Sequence, residues 1–524
     1  MIWELLRRAR KPLDLFVGAL VVGVTAASCV SASTSATQSA PPKPDSIVVV
    51  VGTDIIGQSI EPAANMSGAA IGLLYSVYDG LYKFDKAGNP VRSLATSDVV
   101  SSDGLTETIS IRNNVLFHDG SPMTADDVKY SLDRARGSDP ALPNATAASY
   151  LAAVSSVDVT DATTVVLRLK RPEPLMQRAL AYLAGMIVPK AYLTRVGNDG
   201  FWKSPIGSGP YRVVEKVAGD HIGLASFANY WGDKASIKNV TYKIIPDPAS
   251  RIAALQSGGA DFVIDTDPSQ VDPLRKAGLA VVANPQGENL FLQLNRFSPG
   301  APTDSRVGQA LNMAVDRDSI IKNIMLGFGS PIASLETAPG MIDPALKPYP
   351  FDPAKAKQLL MDAGFDFNTA LHVANPIGRY LKSDEIAQAV SSDLAKIGVK
   401  LQVDNMEYGA WVQHFLDHNF GTMTFSTIPN TTFDPLLYMR ISLLCKGAYS
   451  TWCDPALDAL VDQVSALTGE ARVQGIQKID RLIHDNPPGI MLLGYSQINA
   501  MKSNVVWNAT PGTRVVKLTD LSYK

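Results

Sequence analysis

Two histidines, His414 and His418, stand four residues apart in a segment whose pattern predicts a helix, which would place both rings on one helix face. Zinc proteases use this spacing, but they need a glutamate directly after the first histidine, and Phe415 occupies that position. The chain has six histidines in all, and they form no further cluster with ligand spacing. The pair therefore indicates a solvated helix face, and we predict no metal site and no cofactor.

Nucleophile and phosphate motifs give no stronger signal for chemistry. Gly207-Ser208-Gly209 lacks the Gly-x-Ser-x-Gly spacing of a nucleophile elbow. The sequence contains no phosphate-binding loop and no dinucleotide fingerprint. Its 47 Lys and Arg against 50 Asp and Glu give a net charge of -3, without the basic footprint that nucleic-acid binding requires. We predict no catalysis and no nucleic-acid partner, and a hydrolase is the most remote alternative.

The first 28 residues have the pattern of an export signal. Basic residues from Arg7 to Lys11 precede an apolar run from Leu15 to Ala27. This run is shorter than the roughly 20 residues that span a bilayer, so it predicts a secretory signal rather than a membrane helix. No later apolar stretch is as long, and we expect a soluble, exported protein, either periplasmic or held at the outer face of the cell membrane.

Cys29 ends this segment in the order Ala26-Ala27-Ser28-Cys29, which is similar to the lipobox of bacterial lipoproteins. A lipobox usually has Leu three residues before the Cys, where Ala26 stands here. Ordinary cleavage after Ala32 is the alternative. Residues 31–44 are rich in Ser, Thr and Pro and would form a flexible tether. We predict a signal at 1–28, a tether at 29–46 and lipid attachment at Cys29, with free release as the alternative.

Cys445 and Cys453 are the other two cysteines. Export would place them in an oxidising compartment, where a close pair usually forms a disulfide. Two reduced thiols are the alternative. A metal site is less favoured because no second pair of Cys or His residues with ligand spacing accompanies them.

Strand-like and helical segments alternate along the chain, which predicts an α/β fold. Helix start signals occur at Thr124 and at Asp454-Pro455, and a helix is expected from Ser383 to Ile397. Apolar, β-branched runs predict strands at Ser46–Val51, Thr164–Leu169, Val240–Ile245 and Leu290–Leu294.

A series of motif blocks follows in a fixed order after the signal. The blocks are Tyr78–Asp85, Ser102–Thr106, Ile111–Val128, Gly207–Tyr211, Asn229–Gly232, Ile245–Arg251, Ala310–Ile320, Ala354–Leu360 and Leu394–Val399. The ordered set resembles the peptide/nickel/oligopeptide family of bacterial extracellular solute-binding proteins, family 5, of ABC importers, and the resemblance covers nearly all of the exported chain. The likeness is closest to the branch of dipeptide and oligopeptide binders, which often carries the Cys pair. Most block residues are expected to be scaffold.

The resemblance implies a two-lobed periplasmic-binding-protein fold (type II, large cluster) with a hinge and an extra α/β domain inserted in the first lobe. We expect the hinge crossings near residues 290–295 and 493–498. The predicted division is lobe I at 47–80, 207–292 and 496–524, the inserted domain at 81–206, and lobe II at 293–495.

The resemblance also implies a function. Members bind a solute between the lobes and deliver it to the permease of an ABC importer, so we expect a monomer that binds peptides or a small polar solute. Peptide binders of the family hold the carboxylate with an Arg and the free amino terminus with an Asp, because a buried charge must be paired. A receptor for a non-peptide solute, such as an opine, a sugar or a metal chelate, is the alternative.

Candidate ligand-binding residues follow from the same resemblance. Arg379, followed by Tyr380, precedes a predicted helix where dipeptide binders carry their carboxylate-binding Arg. Tyr408 and Trp411 stand where relatives place an aromatic residue over the ligand, with core packing as the alternative. Asn65 and Ser67 are candidates for the first-lobe wall.

The position expected for the amine-binding Asp departs from the family pattern. Asn430 stands there and supplies no charge, and Asp434 is the nearest acid, within an Asp-Pro pair that is more often structural. The departure weakens the prediction of an ordinary peptide and keeps the non-peptide alternative open.

Overall fold

The structure is a computed structural model that describes residues 43–53, 60–64, 70–143, 145–298, 302–338, 340–447 and 449–524, with only the backbone at 285, 286 and 495. Residues Lys43–Lys524 form one compact unit. The predicted signal, Cys29, most of the tether, Asn65 and Ser67 lie outside the described residues. Within them, no helix is both long enough and apolar enough to cross a membrane.

The β-strands build the frame of the molecule. They are β1 (Ser46–Val51), β2 (Tyr82–Phe84), β3 (Pro90–Arg92), β4 (Ala95–Val100), β5 (Thr106–Ile111), β6 (Val154–Asp161), β7 (Thr164–Leu169), β8 (Tyr211–Val217), β9 (His221–Ser226), β10 (Asn239–Ile244), β11 (Phe262–Val263), β12 (Ala280–Leu294), β13 (Gly329–Ser330), β14 (Leu371–Pro376), β15 (Leu401–Met406), β16 (Met423–Pro429), β17 (Gly489–Met501), β18 (Val505–Trp507) and β19 (Leu521–Tyr523).

The α-helices alternate with these strands, as an α/β fold requires. They are α1 (Ile71–Val77), α2 (Ala125–Ala135), α3 (Met176–Ala181), α4 (Lys190–Lys203), α5 (Pro248–Gln256), α6 (Val271–Lys276), α7 (Ser305–Met313), α8 (Arg317–Ser319), α9 (Pro353–Asp362), α10 (Ser383–Lys396), α11 (Tyr408–Leu416), α12 (Pro435–Ser442), α13 (Pro455–Ser465) and α14 (Gly469–Asp485).

Helix start signals are confirmed where the side chain makes the expected cap. Thr124 and Asp127 form a reciprocal capping box at α2, and Asp454 accepts hydrogen bonds from the first turn of α13. Helix α10 begins at the predicted Ser383, but the residue before it, Lys382, has a left-handed φ of 60° and makes no side-chain cap. The ammonium of Lys382 pairs instead with Asp267 and Glu385.

The predicted strands are confirmed, two of them at both ends. β1 and β7 have the predicted bounds, whereas β12 extends ten residues before the predicted Leu290. The sequence between Ala280 and Asn289 is mixed in polarity because these residues bridge the lobes instead of filling one core.

One large sheet joins the two lobes. Its strand order is β15-β14-β16-β12-β17-β11-β1-β10-β9-β8, with β13 paired to β17. The first lobe contributes β1 and β8–β11, and the second lobe contributes β14–β16. The long antiparallel pair of β12 and β17 runs between them.

The crossing between the lobes coincides with an irregularity in this pair. The register of β12 against β17 shifts between Asn284 and Glu288, opposite Gln497 and Tyr495. A bulge of this kind bends a strand and locally disrupts its ladder. It overlaps the predicted second crossing and lies a few residues before the predicted first one, and the position of the hinge stays a prediction.

The inserted segment has a sheet of its own, of order β4-β5-β7-β6, within the predicted domain 81–206. The buried apolar residues of both lobes include two large clusters. Leu436 of α12 and Ile483 of α14 share one buried cluster with Ile47 and Leu132, whereas Val373 and Ile386 belong to a second cluster. The first cluster is continuous across the predicted boundaries, and the boundaries themselves stay a prediction.

The motif blocks act as scaffold, as expected. Buried Asp79 accepts hydrogen bonds from Ser208 (3.1 Å), Tyr230 (3.0 Å) and Trp231 (2.8 Å), which come from two other blocks. Burial raises the pKa of Asp79 to about 6 despite these bonds. Gly207 packs so closely that a Cβ there would lie 2.0 Å from the Val77 carbonyl oxygen, which explains the small residues of that block.

Candidate functional site

A cavity of about 60 Å³ lies between the lobes, beside the irregularity in β12 and β17. The first lobe lines it with residues after β1, β10 and β11 and with the C-terminal segment around Arg514. The second lobe lines it with Gly378 and Arg379 after β14 and with Thr431 after β16. Glu288 and Gln497 line it from the two crossing strands. Ligand sites in such folds commonly lie between domains.

Two glycines allow the lobes to approach each other at this cavity. A Cβ on Gly52 would lie 2.7 Å from Nη1 of Arg251 and 3.3 Å from the carbonyl oxygen of Gly378. Gly378 itself has a φ of 73°, which favours glycine. Backbone from opposite lobes therefore comes into contact only because neither position carries a side chain.

Arg379 presents its guanidinium to the cavity from the second lobe. The group lies 3.5 Å from a carboxylate oxygen of Glu288, and it stacks over the ring of Tyr380 at 4.6 Å. No hydrogen bond from this guanidinium to another described residue is present. Burial works against its charge, while Tyr380 and Glu288 more than offset that effect and raise its pKa above the ordinary value. Arg379 is thus a buried cation with donors left for a further partner.

Glu288 is the buried counter-ion of this region, with 1% of its side chain exposed. Its carboxylate pairs with Arg514 and Arg379. Burial alone would raise the pKa of Glu288. The positive charges of Arg514 and then Arg379 lower it by more than burial raises it, so the net shift is downward. Glu288 is therefore ionised and fully engaged at the crossing.

Arg514 connects Glu288 to a second carboxylate at the cavity. Its guanidinium lies 2.5 Å from Oδ2 of Asp265, whose side chain is 27% exposed. Asp265 also has a left-handed φ of 57°, which is uncommon outside glycine. The first-lobe side of the cavity thus carries a positioned carboxylate.

Arg251 lies in the same wall but is committed to the backbone. Its Nη1 donates to the carbonyl oxygens of Ile245 (3.0 Å) and Pro246 (2.8 Å). Burial lowers its pKa from the ordinary value, with nearby acids, Asp265 first, acting in the opposite direction. Its principal contacts hold the loop after β10 in place.

The predicted aromatic pair does not line this cavity. Tyr408 and Trp411 stack on each other at 5.7 Å, and Trp411 stacks on Phe415 at 5.2 Å, all three within a buried cluster of the second lobe. The indole nitrogen of Trp411 donates to Thr424 Oγ1 at 2.7 Å. Both side chains are packed against other aromatic residues, and their contact with a ligand stays a prediction. Tyr380 lies beneath Arg379 and supports it.

Asn430 and Asp434 are also committed to protein contacts. Asn430 lies between two cavity-lining residues, Pro429 and Thr431, but its Nδ2 donates to the Gly512 carbonyl oxygen at 2.9 Å. Asp434 caps α12 and lies 2.5 Å from Arg472, so it has the structural role of the Asp-Pro alternative.

The residues that sequence reasoning missed are Asp265, Glu288, Gln497 and Arg514. They stand far apart in the chain and outside the quoted motif blocks, so no spacing could relate them. Glu288 lies two residues before the predicted strand at Leu290, and Gln497 lies within the predicted crossing at 493–498, which were the nearby signals.

The structure separates the two histidines of the predicted helix and joins the two cysteines. Helix α11 ends at Leu416, so His418, with a φ of 53°, does not share a helix face with His414, and that expectation was wrong. In the described part of the chain, no group of three or more His, Cys, Asp or Glu could hold a metal ion. The sulfur atoms of Cys445 and Cys453 are bonded to each other.

Comparisons with known proteins agree on one family. Residues 89–450 match the profile of the bacterial extracellular solute-binding proteins, family 5 Middle. The chain is 33% identical over 370 residues to the glutathione-binding protein GsiB of Pectobacterium atrosepticum, covering 69% of each. It is 30% identical over 375 residues to GsiB of Escherichia coli K12, covering 69% of this chain and 70% of that protein.

Solved structures share the fold. The Helicobacter pylori periplasmic binding protein DppA, in complex with the peptide STSA, matches with a TM-score of 0.83 at 23% identity, over 92% of this chain and 98% of that one. The binding protein AgaA of A. tumefaciens R10, in complex with agropinic acid, matches with a TM-score of 0.82 at 24% identity, over 91% and 99%. Both structural matches are evidence for the two-lobed fold.

Proposed function

This chain belongs to the bacterial extracellular solute-binding proteins of family 5, and we propose that it is the receptor of an ABC importer, binding a peptide or a peptide-like solute between its two lobes. The observation that carries this proposal is Arg379. Its guanidinium faces the cavity between the lobes and makes no hydrogen bond to another described residue.

A carboxylate is the chemical partner that this arrangement favours. The planar guanidinium offers parallel donors that match two carboxylate oxygens. Stacking on Tyr380 holds its plane, so little side-chain freedom would be lost when a solute binds. A solute that ends in a carboxylate would therefore be held from the second lobe.

Closure of the lobes is the proposed step that couples binding to delivery. A cavity of about 60 Å³ is smaller than a peptide, so a solute can enter only when the lobes separate, and they would then close around it. Hinge closure around a ligand is a common two-state device. The irregular segment between Asn284 and Glu288 is the proposed pivot, and a permease with cytoplasmic ATPases is the proposed partner.

A non-peptide solute, such as an opine, a sugar or a metal chelate, is the second candidate. Asn430 favours it, because this residue lacks the charge expected for an amine-binding Asp and is bonded to Gly512. A solute without a free amine would need no such charge.

Identification of the solute is the decisive experiment. The protein would be purified after export without denaturation, and bound solutes would be analysed by native mass spectrometry. A peptide or amino-acid conjugate is the expected result, and a sugar or chelate would select the second candidate. If no solute copurifies and neither glutathione nor the peptide Ser-Thr-Ser-Ala raises the melting temperature, the receptor proposal is wrong.

Export and anchoring form the finer part of the proposal. We propose that residues 1–28 are removed and that Cys29 carries lipid, so that a monomeric receptor stays near its permease. The bonded Cys445 and Cys453 suit an oxidising location outside the cytoplasm. Metabolic labelling with palmitate should label the wild-type chain and not Cys29→Ser, and an unlabelled wild type would support free release after Ala32.

A further inference from the structure

We infer that Asp265 accepts the charged amine of the bound solute, from the lobe opposite Arg379. This inference rests on the proposed function and adds the second charge of the ligand. It makes the solute a zwitterion whose carboxylate lies toward Arg379 and whose ammonium lies toward Asp265. Asp265 would thus supply the negative charge for the amine that the uncharged Asn430 cannot supply.

Two carboxylates line the cavity in the described part of the chain, and they differ in what they can still bind. Glu288 is 1% exposed and pairs with two guanidiniums. An ammonium could reach it only by displacing one of them. Asp265 is 27% exposed, and only its Oδ2 is engaged by Arg514. Its Oδ1 has no hydrogen-bond partner among the described residues, so this oxygen is available to a ligand.

The backbone of Asp265 is held in an unusual conformation by its neighbours. Its φ is 57°, its N–H donates to Asn499 Oδ1 at 3.2 Å, and its carbonyl oxygen accepts from Arg251 Nη2 at 3.4 Å. Left-handed non-glycine residues that the surroundings enforce are concentrated at ligand-binding and active sites. Here the conformation places a carboxylate at the cavity wall.

Arg514 fixes the orientation of this carboxylate. Its guanidinium lies between Asp265 and Glu288, and it is bonded to both. A carboxylate held through one oxygen keeps its second oxygen at a defined position, which is the preorganisation that selective binding of an ammonium requires. The arrangement favours solutes that carry a free amine over their N-acylated forms.

The test compares amine and acylated forms of the same solutes. The probes are glutathione, the peptide Ser-Thr-Ser-Ala and the N-acetyl derivative of each, titrated calorimetrically into the purified protein. Asp265→Asn is the informative variant, because Asn keeps the shape and tolerates a left-handed backbone. Asp404→Asn is the matched control, since Asp404 is similarly exposed (30%), pairs with His372 and does not line the cavity.

The expected wild-type result is a preference of about 30-fold or more for the free amine of whichever probe binds, as for a partly buried charge pair. Asp265→Asn should lose most of that preference by weakening the amine form alone, and Asp404→Asn should retain it. Equal wild-type affinity for both forms, or an unchanged preference in a folded Asp265→Asn, would overturn the inference while leaving the receptor function intact. If Asp265→Asn does not fold, equal wild-type affinity for the two forms still overturns the inference. Failure of every probe and the absence of a copurified solute would instead overturn the receptor function.

Discussion

The ammonium of Lys382 lies 2.6 Å from a carboxylate oxygen of Asp267, and this ion pair joins the two lobes beside the cavity. Lys382 precedes α10 in the second lobe, whereas Asp267 caps a short turn, Pro268–Gln270, in the first lobe. The same ammonium lies 2.8 Å from Glu385, within its own lobe. Burial lowers the pKa of Lys382, but Asp267 and then Glu385 raise it, and the net shift is upward.

Breaking the ion pair between Lys382 and Asp267 should weaken closure of the two lobes. Asp267→Asn keeps an oxygen for the turn at Ser269 but loses the charge, so we expect solute affinity to fall about 3- to 10-fold, as for a partly exposed pair. Glu385→Gln removes a charge from the same lysine without touching the first lobe and should leave affinity unchanged. Calorimetric titration measures both variants, and equal effects would show that the pair does not act between the lobes.

Loss of the Arg379 guanidinium should remove the carboxylate partner. We expect Arg379→Gln or Arg379→Ala to weaken solute binding by about 2 to 5 kcal/mol, because the ligand carboxylate would then be buried without its cation. Arg168→Gln, an exposed arginine of the inserted domain paired with Asp158, is the control and should bind as the wild type does. Unchanged affinity in Arg379→Ala would show that the carboxylate lies elsewhere.

A methyl group at Gly52 should hinder closure. The added Cβ would lie 2.7 Å from Arg251 Nη1 and 3.3 Å from the Gly378 carbonyl oxygen, so the closed arrangement would have to shift. Gly52→Ala is expected to lower solute affinity and to increase the radius of gyration measured by small-angle X-ray scattering with solute present. Gly259→Ala is the control, because a Cβ there meets only ordinary contacts. Wild-type affinity in Gly52→Ala would contradict the close approach of the lobes.

Glu107 should make the stability of the inserted domain depend on pH. This residue of β5 is 2% exposed, and burial, followed by the charge of Asp98, raises its pKa to about 7. The folded state therefore binds more protons than the unfolded state between the ordinary carboxyl pKa and about 7, so this group stabilises folding as the pH falls through that window.

Glu107→Gln should remove this dependence. At pH 8 the variant should be more stable than the wild type by on the order of 2 kcal/mol, and near pH 5 the difference should largely disappear. Urea unfolding at both pH values measures the free energy of unfolding. Glu470→Gln, at an exposed site on α14, should show no such pH-dependent gain. A variant less stable than the wild type at pH 8 would mean that the Glu107 carboxylate is satisfied in its ionised form.

Local patterns predicted the elements well, because their hydrogen bonds and side-chain periodicity lie within a few residues. β1, β7, the capping box at Thr124 and the start of α13 all follow from neighbouring residue types. Helix α10 also begins at the predicted residue, although Lys382 before it makes no side-chain cap and pairs with Asp267.

The sequence by itself determined the α/β class and the family, and it pointed to one cationic residue that lines the cavity, Arg379, because ordered motifs and a basic residue before a helix are visible in one dimension. It could not determine which face of α11 is buried, and Tyr408 and Trp411 proved to pack inside the second lobe. Only the tertiary structure decided the charge pattern of the cavity. Asp265, Glu288 and Arg514 meet there through the crossing of β12 and β17, and whether each carboxylate remains open to a ligand depends on which guanidinium the fold places beside it.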